Sequence, residues 1–210
     1  MTGPETIIGI DLDNTLVCCD KLFHCAAREE GLIEPSVPGN KDAIRDAIRR
    51  LPDGERQWTR LQAIVYGKRM PGATLFEGVD VFLRHCARAR TRTMIVSHKT
   101  PFAVLGGQRF DLRRPALDWL TAKKFFSDFA LSPRDVFFES TRAEKIERIR
   151  SLRCTHFIDD LAEVFAENPF PRETEKLLFA RCGAASTSPG VRVFSSWSEL
   201  HRFFFHDART

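Results

Sequence analysis

The sequence predicts an α/β protein built around a parallel sheet. Short, continuous apolar runs recur along the chain, first at residues 7–10 (Ile-Ile-Gly-Ile) and again at residues 93–96 (Thr-Met-Ile-Val). Apolar runs without alternation are typical of strands that are buried on both faces of a parallel sheet. Segments with helical periodicity lie between such runs, for example at residues 79–89. Strands and helices that alternate in this way favour the α/β class.

The composition fits a globular protein of this class. The chain has 210 residues, of which 43% are hydrophobic and 29% charged, enough for one α/β domain with a small insertion. The net charge of +4 suits an anionic small substrate and is too weak to indicate nucleic-acid binding. We expect no signal peptide and no membrane span. Six irregularly spaced cysteines favour free thiols, so we expect a cytoplasmic protein.

Three helical segments follow the first strand. Apolar residues at helical spacing occupy residues 22–27, 42–51 and 58–70, and Pro-Gly or Gly stops separate these segments from their neighbours. The sequence therefore predicts a helical insertion over residues 18–73, between the first strand and the rest of the sheet.

The rest of the chain alternates between strands and helices. Residues 101–114, which include Gly106 and Gly107, are predicted to be a loop. The other predicted elements are helices at 79–89, 115–121, 125–129, 161–167 and 195–205, a helix that opens at 140–145, and strands at 93–96, 135–138, 154–158, 176–180 and 191–194.

Two carboxylates follow the first strand directly. Asp11 and Asp13 flank Leu12 at the carboxyl end of this strand, which is where ligands bind in open α/β sheets. Carboxylates this close repel each other unless a cation or a shared proton lies between them. The spacing suits a hard divalent ion that is held by a side chain, a backbone carbonyl two residues on, and water.

Polar residues also follow two later strands. Ser97 and His98 directly follow the strand at 93–96. A serine by itself is also common in turns, which is the alternative for Ser97. Asp159 and Asp160 end another short apolar strand, and adjacent acids at a buried edge are costly without a cation. Asp160 alternatively suits the N-cap of the helix that follows.

A lysine lies near the start of the helix after residues 135–138. Ser140 or Thr141 would cap this helix, and Lys145 lies in its first turns, where a cation opposes the helix dipole. A nearby anion would explain that position, whereas an exposed lysine is the alternative. Arg142, near the start of the same helix, is a second candidate for the cation that would pair with such an anion.

Together these segments resemble the four motifs of the haloacid dehalogenase (HAD) superfamily, most of whose members are Mg²⁺-dependent phosphatases. Asp-Leu-Asp-Asn-Thr-Leu after an apolar strand resembles the first motif, Ser97 the second, Lys145 the third and Asp159-Asp160 the fourth. The resemblance implies a doubly wound parallel sheet with helices on both faces, formed by residues 1–17 and 74–210. Residues 18–73 would then be a helical cap over the active site.

The resemblance also implies a mechanism. Asp11 would attack the phosphorus atom and form an aspartyl phosphate, while Asp13 would protonate the leaving group and then activate water. Ser97 and Lys145 would stabilise the phosphoryl oxygens, and His98 would line the substrate pocket. Asp13 also favours a phosphatase over a dehalogenase, because a halide leaves without a proton.

The implied cofactor is Mg²⁺, held by Asp11, the backbone carbonyl of Asp13 and Asp160, with Asp159 in the surrounding shell. The implied substrate is a small phosphorylated metabolite, with no nucleic-acid or membrane partner. Two alternatives share these motifs: a phosphotransferase or mutase, and a binding protein with weak or no turnover.

Overall fold

The computed structural model describes residues 5–105, 108–181 and 189–206. The strands are β1 (Ile7–Ile10), β2 (Val17–Cys18), β3 (Thr74–Leu75), β4 (Arg92–His98), β5 (Phe102–Leu105), β6 (Gln108–Asp111), β7 (Val136–Glu139), β8 (His156–Asp159), β9 (Glu175–Phe179) and β10 (Val191–Phe194). The α-helices are α1 (Asp20–Glu29), α2 (Lys41–Arg49), α3 (Gly54–Ala63), α4 (Val79–Ala89), α5 (Arg113–Ala122), α6 (Phe125–Asp128), α7 (Arg142–Ser151), α8 (Ala162–Ala166) and α9 (Trp197–Phe205).

The chain divides into two compact units. The sheet unit consists of Met1–Val17, Leu75–Lys99 and Lys124–Thr210, and the helical unit consists of Cys18–Thr74 and Thr100–Lys123. The sequence indicated an insertion over residues 18–73 alone. It did not indicate that the segment Thr100–Lys123 belongs to the same unit.

The sheet unit contains a six-stranded parallel sheet with the order β10-β9-β8-β1-β4-β7. The chain begins in the middle with β1, adds β4 and β7 on one side, and then crosses to add β8, β9 and β10 on the other. The prediction of a doubly wound parallel sheet is therefore confirmed. The direction of winding reverses beside β1, and ligands bind at such a switch point in open α/β sheets.

Helices cover both faces of this sheet. On one face, Phe157 of β8 and Leu178 of β9 join a buried cluster with Ile146 of α7 and Phe165 of α8. Successive side chains of a strand point to opposite faces, so Phe179 lies on the other face, where its ring contacts Trp197 of α9 at 5.8 Å. These two apolar layers fix the carboxyl ends of the strands at one edge.

Gly9 is required by the packing of β1. A Cβ atom at this position would lie 2.6 Å from Cδ2 of Phe157 and 2.9 Å from Sγ of Cys154. Both side chains are fully or almost fully buried, so neither has room to move away.

The helical unit is organised around Phe23 of α1. The Phe23 ring stacks on Trp58 of α3 at 5.0 Å and meets the edge of Tyr66 at 5.4 Å. The sequence predicted one helix over residues 58–70, which is wrong in its second half: α3 ends at Ala63 and a π-helical turn, Ile64–Lys68, follows. In the described part of the chain, no helix combines the length and the apolar character that crossing a membrane requires.

The predicted loop at residues 101–114 is also wrong. Strands β5 and β6 pair as an antiparallel hairpin, and α5 begins at Arg113. Gly106 and Gly107 lie between these strands in the sequence and are outside the described residues. Cys182 is also outside the described residues.

Candidate active site

The site is built on the end of β1. All four residues of β1 are buried, and the backbone N–H of Asp11 extends its pairing with β8 by donating to the carbonyl of Ile158 at 2.9 Å. Because Ile10 pairs with Ile158, the next residues of the two strands, Asp11 and Asp159, lie level with each other at the sheet edge. The Asp11 side chain is only 7% exposed.

Lys145 connects these two aspartates. Its Nζ atom donates to Oδ1 of Asp11 and to Oδ2 of Asp159, both at 2.6 Å. Thr141 caps α7 by accepting from the N–H of Glu144, whose carboxylate accepts from the N–H of Thr141 in return. This capping box fixes the start of α7, and the buried Lys145 lies one residue after Glu144.

Burial and charge act in opposite directions on this pair. Burial disfavours the charge of Lys145, but the carboxylates of Asp11 and Asp159 outweigh it and raise the pKa of this lysine. Burial, together with the carboxylates of Asp159 and Asp13, raises the pKa of Asp11 to about 6 against the opposing effect of Lys145. Lys145 therefore offsets only part of the effect of burial on the Asp11 carboxylate.

A tight turn carries the chain from β1 to Val17. The carbonyl of Leu12 accepts from the N–H groups of Leu16 and Val17, and Asn14 adopts the left-handed conformation with φ of 63°. Asparagine tolerates this conformation better than most residues. The turn holds Asp13, whose Oδ2 lies 2.6 Å from Nζ of Lys99.

The two acids after β8 have different surroundings. Asp159 is fully buried and uses both oxygens, Oδ2 for Lys145 and Oδ1 for the N–H of Leu161 at 3.0 Å. Asp160 is half-buried, and its two oxygens lie 3.4 Å from the side chains of Asn14 and Thr15. Leu161, and not Asp160, occupies the N-cap position of α8.

This edge carries a donor set for a metal ion. Asp11, Asp159 and Asp160 each offer a carboxylate oxygen, and these atoms lie within 4.8 Å of one another. Asp13 adds a fourth carboxylate, and the ammonium groups of Lys99 and Lys145 contact Asp13, Asp11 and Asp159. Carboxylate oxygen donors fit a hard divalent cation such as Mg²⁺.

No family model and no curated protein matches this chain, but solved structures do. It is similar to a HAD family hydrolase from Deinococcus radiodurans R1 with bound phosphate and sodium, at a TM-score of 0.56 and 16% identity over 96% of this chain and 95% of that one. A predicted phosphoglycolate phosphatase from Haemophilus somnus is similar at a TM-score of 0.54 and 15% identity, over 95% of this chain and 98% of that one. A dehalogenase is similar at a TM-score of 0.55 and 16% identity, over 97% of this chain and 98% of that one.

The chain has the HAD fold. The resemblance that the four motifs indicated is thus confirmed for the fold, across nearly the full length of the chain. Because a dehalogenase and a predicted phosphatase share the HAD fold, the reaction must be argued from the site itself.

The HAD fold brings most of the predicted residues to one edge. Asp11, Lys145, Asp159 and Asp160 lie together, and the buried Ser97 is the second-last residue of the neighbouring strand β4.

The other predicted residues have separate partners. His98 is exposed, and its Nε2 donates to the carbonyl of Ser140 at 3.1 Å. Arg142, the second candidate for the position of Lys145, pairs with Glu167 at 2.8 Å.

Lys99 is the polar residue of this edge that the sequence did not single out. Its side chain is 2% exposed and contacts Asp13, which is far away in the sequence. A lysine three residues beyond the predicted strand at 93–96 was the available signal, since a cation so close to a sheet core requires an anionic partner.

Proposed function

We propose that this protein is a Mg²⁺-dependent phosphatase that hydrolyses a small phosphate monoester through an aspartyl phosphate on Asp11. The observation that carries the proposal is the buried ammonium of Lys145 between Asp11 and Asp159, with Asp160 close enough to share a metal ion. One structure of the same fold holds phosphate, and another is described as a predicted phosphoglycolate phosphatase.

Asp11 is the proposed nucleophile. Lys145 holds its Oδ1, which leaves the second oxygen of the carboxylate to attack phosphorus while the bond to the leaving oxygen breaks. Lys145 and the buried Ser97 would stabilise the oxygens of the phosphoryl group during transfer.

Asp13 is the proposed acid and base. It would donate a proton to the leaving oxygen in the first step and take a proton from the attacking water in the second. Its place in the turn that starts at β1 keeps it two residues from the nucleophile. This second acid supports a phosphatase and not a dehalogenase.

Asp11, Asp160 and the backbone carbonyl of Asp13 are the proposed ligands of the ion. Asp159 is assigned to the surrounding shell because it is fully buried and its oxygens accept hydrogen bonds of 2.6 Å from Lys145 and 3.0 Å from Leu161, whereas Asp160 is half-buried. A bound Mg²⁺ supplies positive charge that reduces the repulsion between an anionic nucleophile and an anionic substrate.

We further propose that the helical unit acts as a cap that selects the substrate. The helical unit begins at Cys18, directly after the segment that carries Asp11 and Asp13. A conformational change in this unit can therefore be coupled through the chain to these two acids. His98 remains a proposed substrate contact. The free thiols of Cys25, Cys86 and Cys154 support a cytoplasmic location.

Phosphate release from a panel of phosphorylated sugars, nucleotides and short acids tests the proposal. Wild-type protein with Mg²⁺ should release phosphate from at least one of them. Addition of EDTA should abolish release, and the Asp11→Asn variant should lose at least about 10³-fold in rate. Glu147→Gln, an exposed change in the sheet unit, is the control.

Three results would count against the proposal. Release that is equal in wild type and Asp11→Asn would indicate a contaminant or a binding protein. Retention of full activity in EDTA would exclude the metal. Phosphoryl transfer to an added alcohol in preference to water would indicate a phosphotransferase or mutase.

A further inference from the structure

Lys99 is held firmly at the edge of the sheet. Its backbone N–H donates to the carbonyl of Glu139 at 2.8 Å, which continues the pairing of β4 with β7 past His98. Its side chain is almost fully buried, and its Nζ lies 2.6 Å from Oδ2 of Asp13. The backbone of Lys99 is thus fixed by the strand pairing, and its buried ammonium contacts Asp13.

Asp13 uses its two oxygens differently. Oδ2 faces the ammonium of Lys99, whereas Oδ1 is buried and has no hydrogen-bond partner in the described part of the chain. A buried carboxylate oxygen without a partner is costly, so it requires an explanation such as a catalytic role or a bound water or ion.

An ammonium group can donate hydrogen bonds but cannot accept them. The oxygen that faces Lys99 must therefore act as an acceptor, and a proton carried by Asp13 is directed to Oδ1. From these contacts we infer, on the basis of the proposed function, that Lys99 is a positioning residue: it fixes Asp13 so that Oδ1 alone gives and takes the proton.

The proton transfers balance in both steps. As the second oxygen of Asp11 forms its bond to phosphorus, the bond to the ester oxygen breaks and that oxygen takes the proton from Oδ1 of Asp13. As water attacks the aspartyl phosphate, its proton returns to Oδ1 and the bond between phosphorus and Asp11 breaks. Lys99 keeps its own protons throughout.

The test compares two leaving groups in the Lys99→Met variant. An alkyl phosphate, such as glycerol phosphate, requires a proton on its leaving oxygen, whereas p-nitrophenolate leaves without one. We expect kcat/KM of the variant to fall about 10- to 100-fold for the alkyl ester and less than about threefold for p-nitrophenyl phosphate, given the usual contribution of a general acid. Lys99→Arg should restore most of the alkyl activity.

A double-mutant cycle with Asp13→Asn identifies the residue through which Lys99 acts. If Lys99 positions Asp13, removal of Lys99 from the Asp13→Asn variant should lower kcat/KM for the alkyl ester by less than about threefold. The double variant also avoids a buried unpaired carboxylate, so it keeps the test possible if Lys99→Met does not fold. Lys124→Met, the same change at an exposed lysine, controls for the loss of charge.

Other outcomes overturn the inference. An equal fall for both esters, or a full multiplication of the two effects in the double variant, would show that Lys99 binds the phosphate directly. Unchanged kinetics in Lys99→Met would show that it has no role. If the wild-type protein cleaves neither ester in the presence of Mg²⁺, the proposed function fails, and this inference fails with it.

Discussion

Replacement of Lys145 by methionine should strongly destabilise the sheet unit. The ammonium makes two hydrogen bonds of 2.6 Å to carboxylates, and its side chain is 2% exposed, so solvent does not replace it. Each hydrogen bond to a charged group contributes about 1.5–3 kcal/mol, and removal of one partner of a buried ion pair costs about 3–5 kcal/mol. Methionine recovers part of the apolar contact. We therefore expect a loss of about 3–5 kcal/mol at pH 7.

This loss should depend on pH. The pKa of Asp11 is raised from its ordinary value of 3.8 to about 6, so between these values the folded state binds more protons than the unfolded state. Stability from this group therefore falls as pH rises through that window. Without Lys145 the pKa of Asp11 rises further. The deficit of Lys145→Met should be largest at pH 7 and should shrink towards pH 5, where Asp11 becomes neutral.

Urea unfolding monitored by far-UV circular dichroism at pH 5, 6 and 7 measures this effect, with Lys124→Met as the control. A deficit below about 1 kcal/mol at pH 7 would refute the buried ion-pair account. A deficit that is constant with pH would also refute it, because the deficit should come from unpaired charge on Asp11 and should shrink as Asp11 becomes protonated.

Three further predictions concern packing, helix capping and thiol reactivity. Gly9→Ala should destabilise the protein by about 1–3 kcal/mol in urea unfolding, because the added methyl group overlaps a buried side chain. Thr141→Ala should cost about 0.5–2 kcal/mol in the same assay and lower the proposed phosphatase activity, because the capping box fixes the helix that carries Lys145. Iodoacetamide at pH 8 should modify the exposed Cys25 and spare Cys86, whose thiol has a pKa raised to about 12 by burial, as peptide mass spectrometry would show.

Each of these has a contradicting result. A Cβ atom at Gly39 would meet open space, so Gly39→Ala should be neutral, and an equal effect at both glycines would contradict the packing argument. Unchanged stability of Thr141→Ala would show that the capping box does not hold α7. Modification of Cys86 in the native protein at the rate of Cys25 would show that α4 is not packed as described.

The central part of the fold follows from local sequence. β1, β4 and β8 are short apolar runs that need burial on both faces, and each ends in polar residues, so their common edge could be predicted before their pairing was known. Thr141 and Glu144 have the spacing of a capping box, which determines where the helix of Lys145 begins.

The missed features depend on partners that are distant in sequence or on weak patterns. Strand β6 (Gln108–Asp111) is mostly polar and exposed, so it lacks the apolar signal of a strand. The change from α- to π-helix after Ala63 alters the residues per turn without altering the apolar stripe that predicted it. The contact of Lys99 with Asp13 becomes visible only in the fold, because the two residues are far apart in the sequence.

Calorimetric titration with Mg²⁺ tests the central claim most directly. Wild-type protein should bind one ion per chain at this edge of the sheet, and Asp160→Asn should weaken that binding at least about tenfold, whereas Asp118→Asn should leave it unchanged. Binding of equal strength in wild type and Asp160→Asn would contradict the claim that the acids at the ends of β1 and β8 hold a shared metal ion.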